Sequence, residues 1–247
     1  MQTILGITIP TDSKKNNLDK IVKYITNPKS FFHIVSLNPE NLVVASRQKS
    51  FNRVVNKAQI RIVDGIGVIL AAQILNVKVG DRLTGVELME ELIKLAGEGR
   101  LGVLLIGGEA NLAEDLAKCY NTLYPEAKFV GLEGIKDIHK PRVSEVERIY
   151  SIVSGMKPRI LLVAFGSPWQ ELWLWQNRHK LKGIVAMGVG GAFDYLSGNI
   201  KRPPKWVRHL GLEWFYRLLH QPFRWRRQLR LIEFLWLVAK QRWKKIS

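Results

Sequence analysis

Asp64 closes the apolar run RIV and stands before a glycine and a long apolar stretch, IGVILAAQIL. An aspartate so placed can cap the helix that follows it, or, partly desolvated, take the proton of a hydroxyl. Asp194, within GGAFDYLSG, carries the same two readings. The amides of Asn38 and Gln170 can hydrogen-bond a sugar or a phosphate, or satisfy the backbone of their own loops. Ser36 has no histidine beside it and no GxSxG elbow occurs, so serine-hydrolase chemistry finds no support. The histidines, His33, His139, His179, His209 and His220, are scattered without ligand spacing, and no metal centre is expected.

Around these side chains glycines recur at the ends of apolar runs: Gly65 and Gly67, Gly107 and Gly108, Gly166, and Gly188, Gly190 and Gly191. Glycine lets a backbone approach phosphate closely, and a following helix N-terminus supplies a positive dipole. Any one of these loops is equally an ordinary turn. Several of them together favour a pocket for a nucleotide or nucleotide-sugar. No GxGxxG follows the first apolar run and no GxxxxGK(S/T) occurs, which counts against dinucleotide dehydrogenases and P-loop enzymes.

The elements that must position these residues are legible in the hydrophobic pattern. Strand-like runs are expected at Thr3–Ile9, Phe32–Leu37, Ile60–Val63, Leu101–Ile106, Phe129–Leu132, Ile160–Phe165 and Ile184–Met187. Helix-period stretches lie between them, among them Asn41–Ala58, Gly85–Ala96, Asn111–Leu123, Val143–Met156 and Trp169–Leu181. Continuous apolar strands separated by helices indicate a parallel sheet covered on both faces, a doubly wound α/β domain. In such a sheet ligands sit beyond the carboxyl ends of the strands, where all the candidate residues above fall.

The chain divides by charge. Its 247 residues carry a net charge of +17, and from Lys201 onward thirteen Lys and Arg stand against two Glu. Five of the eight tryptophans lie there too. Residues 1–198 read as the core and 199–247 as a basic, amphipathic helical appendage, with Arg224, Arg227 and Arg230 at three-residue steps. A helix with arginines and bulky apolar residues suits an anionic membrane interface. Packing on the core with a solvated basic face is the plainer alternative, and nucleic-acid binding a third. The stripe Leu229, Leu231, Ile232, Leu235 and Leu237 counts against the last, because a phosphate backbone gives aliphatic side chains nothing to bind. No apolar run reaches the ~20 residues of a membrane span. The N-terminal run lacks a charged preceding region and reads as a strand. Cys119, the single cysteine, excludes an intrachain disulfide and is expected as a buried thiol in a helix.

The ordered segments SLNPE, IVDGIGV, DRLTGVEL, LLIGG, VAFGSPWQE, MGVGGAFDYLSGNIKRPPKW and LGLEWFYRLLHQPFRWRR resemble the WecB/TagA/CpsF glycosyltransferases, glycosyltransferase family 26, from about Ile34 to Arg227. The resemblance implies a Rossmann-like core that moves a sugar, typically of the N-acetylmannosamine type, from a UDP-sugar to a polyprenyl-diphosphate-linked acceptor. Inversion without a required metal, no cofactor, and a role in cell-surface polysaccharide biosynthesis are implied with it. Asp64 matches the family's proposed base. Ser36 and Asn38 match its Thr-x-Asn, with serine in place of threonine, and Gln170 matches the glutamine near the donor sugar. Trp169 stands where the family often has Lys or Arg. Gly107, Gly108, Gly190, Gly191 and Asp194 are expected in the donor pocket. Arg217, Arg224 and Arg227 match the tail arginines implicated in holding the lipid diphosphate. The resemblance further implies a tail docked peripherally on the inner face of the cytoplasmic membrane, an oligomer that gives way to an active monomer, and no nucleic-acid partner.

Overall fold

The computed structural model describes residues 2–198, 203–204, 207, 213–220 and 225–244. Six parallel strands form the central sheet: β3 (Phe32–Leu37), β4 (Ile60–Val63), β5 (Gly102–Gly107), β6 (Lys128–Leu132), β7 (Ile160–Ala164) and β8 (Val185–Gly188), in the order β4-β3-β8-β7-β5-β6. The register is set by apolar pairs such as Ile34 with Ile60 and Met187, and Leu105 with Leu162. Every residue of β3 is buried, as expected of a strand covered on both faces.

Alternate side chains feed two helical layers. Ile34, Ile62, Val103, Leu105, Leu162 and Met187 point to a layer built by α1 (Lys14–Thr26), α5 (Gly85–Glu98), α6 (Leu112–Leu123) and α9 (Ala192–Leu196). Val35, Leu37, Leu104, Ile106, Leu161 and Val163 face the opposite layer. That layer comprises α2 (Pro39–Arg47), α3 (Lys49–Lys57), α4 (Ile66–Ile74), α7 (Val143–Met156) and α8 (Trp169–Gln176), and α11 (Trp225–Trp243) lies on it. A short helix, α10 (Glu213–His220), precedes α11.

The doubly wound reading of the sequence therefore holds, with three local corrections. The Thr3–Ile9 run is no strand of the main sheet but a hairpin, β1 (Thr3–Ile4) paired antiparallel with β2 (Ile7–Thr8). Leu5 and Gly6 turn it with φ of 49° and 81°, the positive pair that a two-residue hairpin loop requires. The expected single helix over Asn41–Ala58 is two. Gln48, extended at φ −112° and ψ 103°, ends α2 and begins α3, so that Leu42–Ala45 and Phe51, Val54 and Val55 each reach the core. Cys119 is exposed: the buried face of α6 is Leu112, Ala113, Leu116 and Ala117, and position 119 falls to its side.

One consequence of the winding positions the site. The helices after β3 and β7 (α2 and α8) leave to one face, and those after β5 and β8 (α6 and α9) leave to the other. Loops that diverge from neighbouring strands open a crevice at the carboxyl edge of the sheet.

Candidate active site

The crevice is a cavity of about 410 Å³. Ser36, Asn38, Asp64, Gly108, Gln170, Gly190, Gly191 and Asp194, each expected from the sequence, line it together. They come from the ends of four strands and from α8 and α9, so the fold unites residues up to 158 positions apart. Gly107 does not line it. A methyl there would lie 2.8 Å from the Ala164 carbonyl oxygen, so this glycine serves the packing of β5 against β7. The loop after β6 contributes nothing either, because β6 is the edge strand farthest from the crevice.

Asp64 is held by an element that its sequence position does not suggest. Its Oδ2 accepts the backbone N–H of Gly85 at 3.1 Å, at the first residue of α5 rather than of the adjacent α4. Thr84 caps α5 in a reciprocal box with Glu87, which fixes that N-terminus and with it the donor to Asp64. A methyl at Gly85 would sit 3.2 Å from both Asp64 Oδ2 and Ser36 Oγ, so the glycine lets the carboxylate and the hydroxyl share one corner. The helix dipole of α5 favours negative charge at that spot.

Asn38 does both of the things the sequence allowed. Its Oδ1 accepts the Asn41 N–H at 2.8 Å, capping α2, while the residue lines the cavity. Gln170 is only 4 % exposed. Its Oε1 accepts the Gly190 N–H at 3.1 Å and its Nε2 donates to Glu171 Oε1 at 2.9 Å. A methyl on Gly188 would meet that side chain at 2.6 Å, so the glycine-rich turn after β8 is seated on Gln170. Trp169 lies outside the cavity lining, edge-on to His139 with ring centroids 4.3 Å apart.

Sequence reasoning missed Glu40, Asn41, Glu109, Ser167 and Glu171, all of which line the cavity. Ser167 Oγ donates to Asn41 Oδ1 at 2.7 Å, and Asn41 Nδ2 donates to the Ser36 carbonyl, tying the loop after β7 to that after β3. Glu171 is 1 % exposed, and desolvation, partly offset by the Gln170 amide, pushes its carboxyl above the usual range. Its sequence neighbours, Gln170 before it and Leu172, Trp173 and Leu174 after it, do not mark it, since a glutamate in a first helical turn is commonplace. Five carboxylates (Glu40, Asp64, Glu109, Glu171 and Asp194) line the cavity, and no Lys or Arg does so among the described residues.

The cation at the rim comes from the C-terminal helix. Arg230 of α11 donates to Glu40 Oε1, and Glu233 pairs with Arg47 of α2. Phe234 and Val238 of α11 are buried against α2 and α4, and Gln241 bonds both Leu5 and Thr3 of the hairpin. The helix nevertheless keeps a second apolar face in the open, with Ile232 66 % and Trp236 60 % exposed beside Leu229 and Leu235. The sequence allows a helix lying in a membrane interface or one packed on the core with a solvated basic face; α11 packs on the core and also exposes an apolar face. Of the three arginines matched to the family's tail, Arg217 lies on α10 and Arg227 on α11, with side chains outside the described residues, and Arg224 lies outside them altogether.

A doubly wound sheet with a polar crevice at its carboxyl edge, an anchored carboxylate and a basic helix beside it places a ligand site where α/β enzymes hold theirs. The comparison with known proteins is more specific: residues 2–247 match the Glycosyl transferase WecG/TagA/CpsF family, and the chain belongs to it. It is a glycosyltransferase. Among its relatives is the N-acetylglucosaminyldiphosphoundecaprenol N-acetyl-beta-D-mannosaminyltransferase of Bacillus subtilis (strain 168), 28% identical over 97% of this chain and 91% of the relative. The protein of the same name from Staphylococcus aureus (strain MW2) is 29% identical over 96% of this chain and 91% of its own. The nucleic-acid reading of the tail finds no support in these likenesses.

Proposed function

We propose that this enzyme transfers an N-acetylmannosamine-type sugar from a UDP-sugar to polyprenyl-diphosphate-linked N-acetylglucosamine, in the assembly of a cell-surface polymer. The sugar and the acceptor follow from the names of its relatives. The observation that carries the reading is the junction of Arg230 with Glu40, which brings a basic, partly apolar helix to the mouth of the pocket that holds Asp64.

In this mechanism Asp64 takes the proton of the acceptor hydroxyl as that oxygen attacks the anomeric carbon from the face opposite the departing UDP. One base suffices for such an inverting displacement, and the Gly85 N–H keeps its carboxylate oriented towards the cavity. Charge developing on the leaving diphosphate is met by loop amides and helix N-termini, while the tail arginines Arg217, Arg224 and Arg227 hold the lipid diphosphate of the acceptor. The exposed face of α11, with Leu70 and Ile74 of α4 also exposed, supports a peripheral contact with the membrane that carries the acceptor. No helix among the described residues is long and apolar enough to cross a membrane.

The test is a screen of UDP-sugars for UDP release with a short-chain polyprenyl-diphosphate N-acetylglucosamine analogue. UDP-N-acetylmannosamine is expected to give acceptor-dependent turnover and an inverted linkage. Turnover that ignores the acceptor, or a retained anomeric configuration, would overturn the reading.

A further inference from the structure

The stretch that carries Ser36 and Asn38 is held carbonyl by carbonyl. The Leu37 carbonyl accepts the Asp64 N–H at 2.8 Å and the Asn38 carbonyl accepts the Leu42 N–H at 3.0 Å, backbone bonds open to any sequence. The Ser36 carbonyl instead takes a side chain, the amide Nδ2 of Asn41, at 2.9 Å. That choice fixes the other end of the amide. A carbonyl only accepts, so the Asn41 nitrogen faces Ser36 and its Oδ1 faces away, where Ser167 Oγ reaches it at 2.7 Å. Asn41 is itself only 4 % exposed. One buried side chain thus ties the loop after β3 to the loop after β7, at the cavity wall that both loops line. The tie ends beside the base: Ser36 Oγ and Asp64 Oδ2 share the corner left open by Gly85.

We propose that Asn41 is a positioning residue for sugar transfer, holding Ser36 and Asn38 in place against Asp64 without touching the sugars itself. This rests on the glycosyl-transfer reading with Asp64 as the base. The helix that carries Asn41 does not need its side chain. Leu42, Val43, Val44 and Ala45 seat α2 in the core, and the Asn38 cap takes the backbone N–H of Asn41, which every substitution keeps. What a substitution removes is the tie between the two loops. Both loops face the reacting corner rather than the core, so the loss falls on geometry at the anomeric carbon, where a displacement of about 1 Å costs about a hundredfold in rate.

The experiment uses the full chain, with UDP-N-acetylmannosamine and the acceptor analogue for turnover and UDP alone for binding. Asn41→Ala should lower kcat by about ten- to a hundredfold and leave UDP affinity within about threefold, because UDP lacks the sugar that the corner positions. Asn41→Asp supplies a second readout. Ionised, its carboxylate keeps an acceptor for Ser167 but has no donor for the Ser36 carbonyl; protonated, it offers both again. The kcat of Asn41→Asp relative to wild type should therefore rise about tenfold as pH falls from about 7.5 to about 5.5, since burial beside a carbonyl raises the pKa of that acid. Glu40, Asp64 and Glu171, and Arg230 at the rim, are present in both proteins, so the ratio isolates position 41. Thermal melts check the fold. A folded Asn41→Ala with wild-type kcat, a loss confined to UDP affinity, or a ratio flat with pH would each overturn the inference, and so would variants that do not fold, which would assign Asn41 to stability alone. A wild type without acceptor-dependent UDP release would overturn the proposed function instead.

Discussion

Replacing Asp64 by Asn separates chemistry from architecture at this site. The asparagine Oδ1 can still accept the Gly85 N–H that Asp64 Oδ2 accepts at 3.1 Å, so the corner between β4 and α5 keeps its hydrogen bond. What is lost is the charge on that bond, a difference of roughly 1 kcal/mol, or about 2–4 °C in melting temperature for a chain of this size. Removing a general base costs roughly a hundredfold to ten-thousandfold in rate, or about 3–5 kcal/mol in the barrier. The two effects are well separated. Asp64→Ala should match Asp64→Asn in turnover and melt lower by a further ~1–3 kcal/mol, because it leaves the Gly85 N–H unpaired by that carboxylate. Acceptor-dependent UDP release, UDP affinity and a thermal melt on both variants make the assay. Turnover of Asp64→Asn within about tenfold of wild type, with donor binding and melting unchanged, would refute the assignment of Asp64 as the base.

The two faces of α11 should respond differently. Changing Ile232 and Trp236 together to Ser should leave the melt nearly unchanged and weaken co-sedimentation with anionic vesicles, whereas Phe234→Ala should cost about 3–5 kcal/mol of stability; vesicle binding indifferent to the exposed pair would place the membrane contact elsewhere. His33, fully buried on β3, has its imidazole pushed down to about 3 by desolvation from an ordinary 6.5. A folded pKa below the unfolded one means stability present above pH 6.5 and lost as pH falls towards 3, by up to about 1.4 kcal/mol per unit. Denaturant titrations from pH 7 to pH 4 should find that slope reduced in His33→Leu, and an unaltered slope would assign the acid sensitivity to other groups.

How much was legible in the sequence depends on how local each signal is. The β3 and α7 ranges follow from hydrophobic period alone and agree with the structure to the residue. Thr3–Ile9 misled because an apolar run does not reveal a reversal; the positive φ of Leu5 and Gly6 is a backbone choice that the pattern of side chains leaves unmarked. Asp64, Ser36 and Asn38 were findable as polar residues at strand ends. Glu171 was not singled out, since a glutamate in a first helical turn is commonplace and its burial is created by β8 and its neighbours. Cys119 was placed on the wrong side of α6, a matter of about 100° around one helix.

By itself the sequence determined the class of fold, the edge of the sheet at which chemistry would gather, the family, and the uneven charge that sets residues 199–247 apart. The family follows from the resemblance of its ordered segments, and the rest from periodicity, glycine placement and composition, which act over a few residues at a time. Tertiary structure alone decided which groups meet. It gave Asp64 its partner on α5, twenty-one positions away, seated the turn after β8 on Gln170, and buried Glu171 with one oxygen unmatched. It also laid α11 across α2 and α4 so that Arg230 reaches Glu40. Such contacts depend on the winding of the sheet and the direction in which each helix leaves it, and the spacing of residues along a chain carries no measure of either.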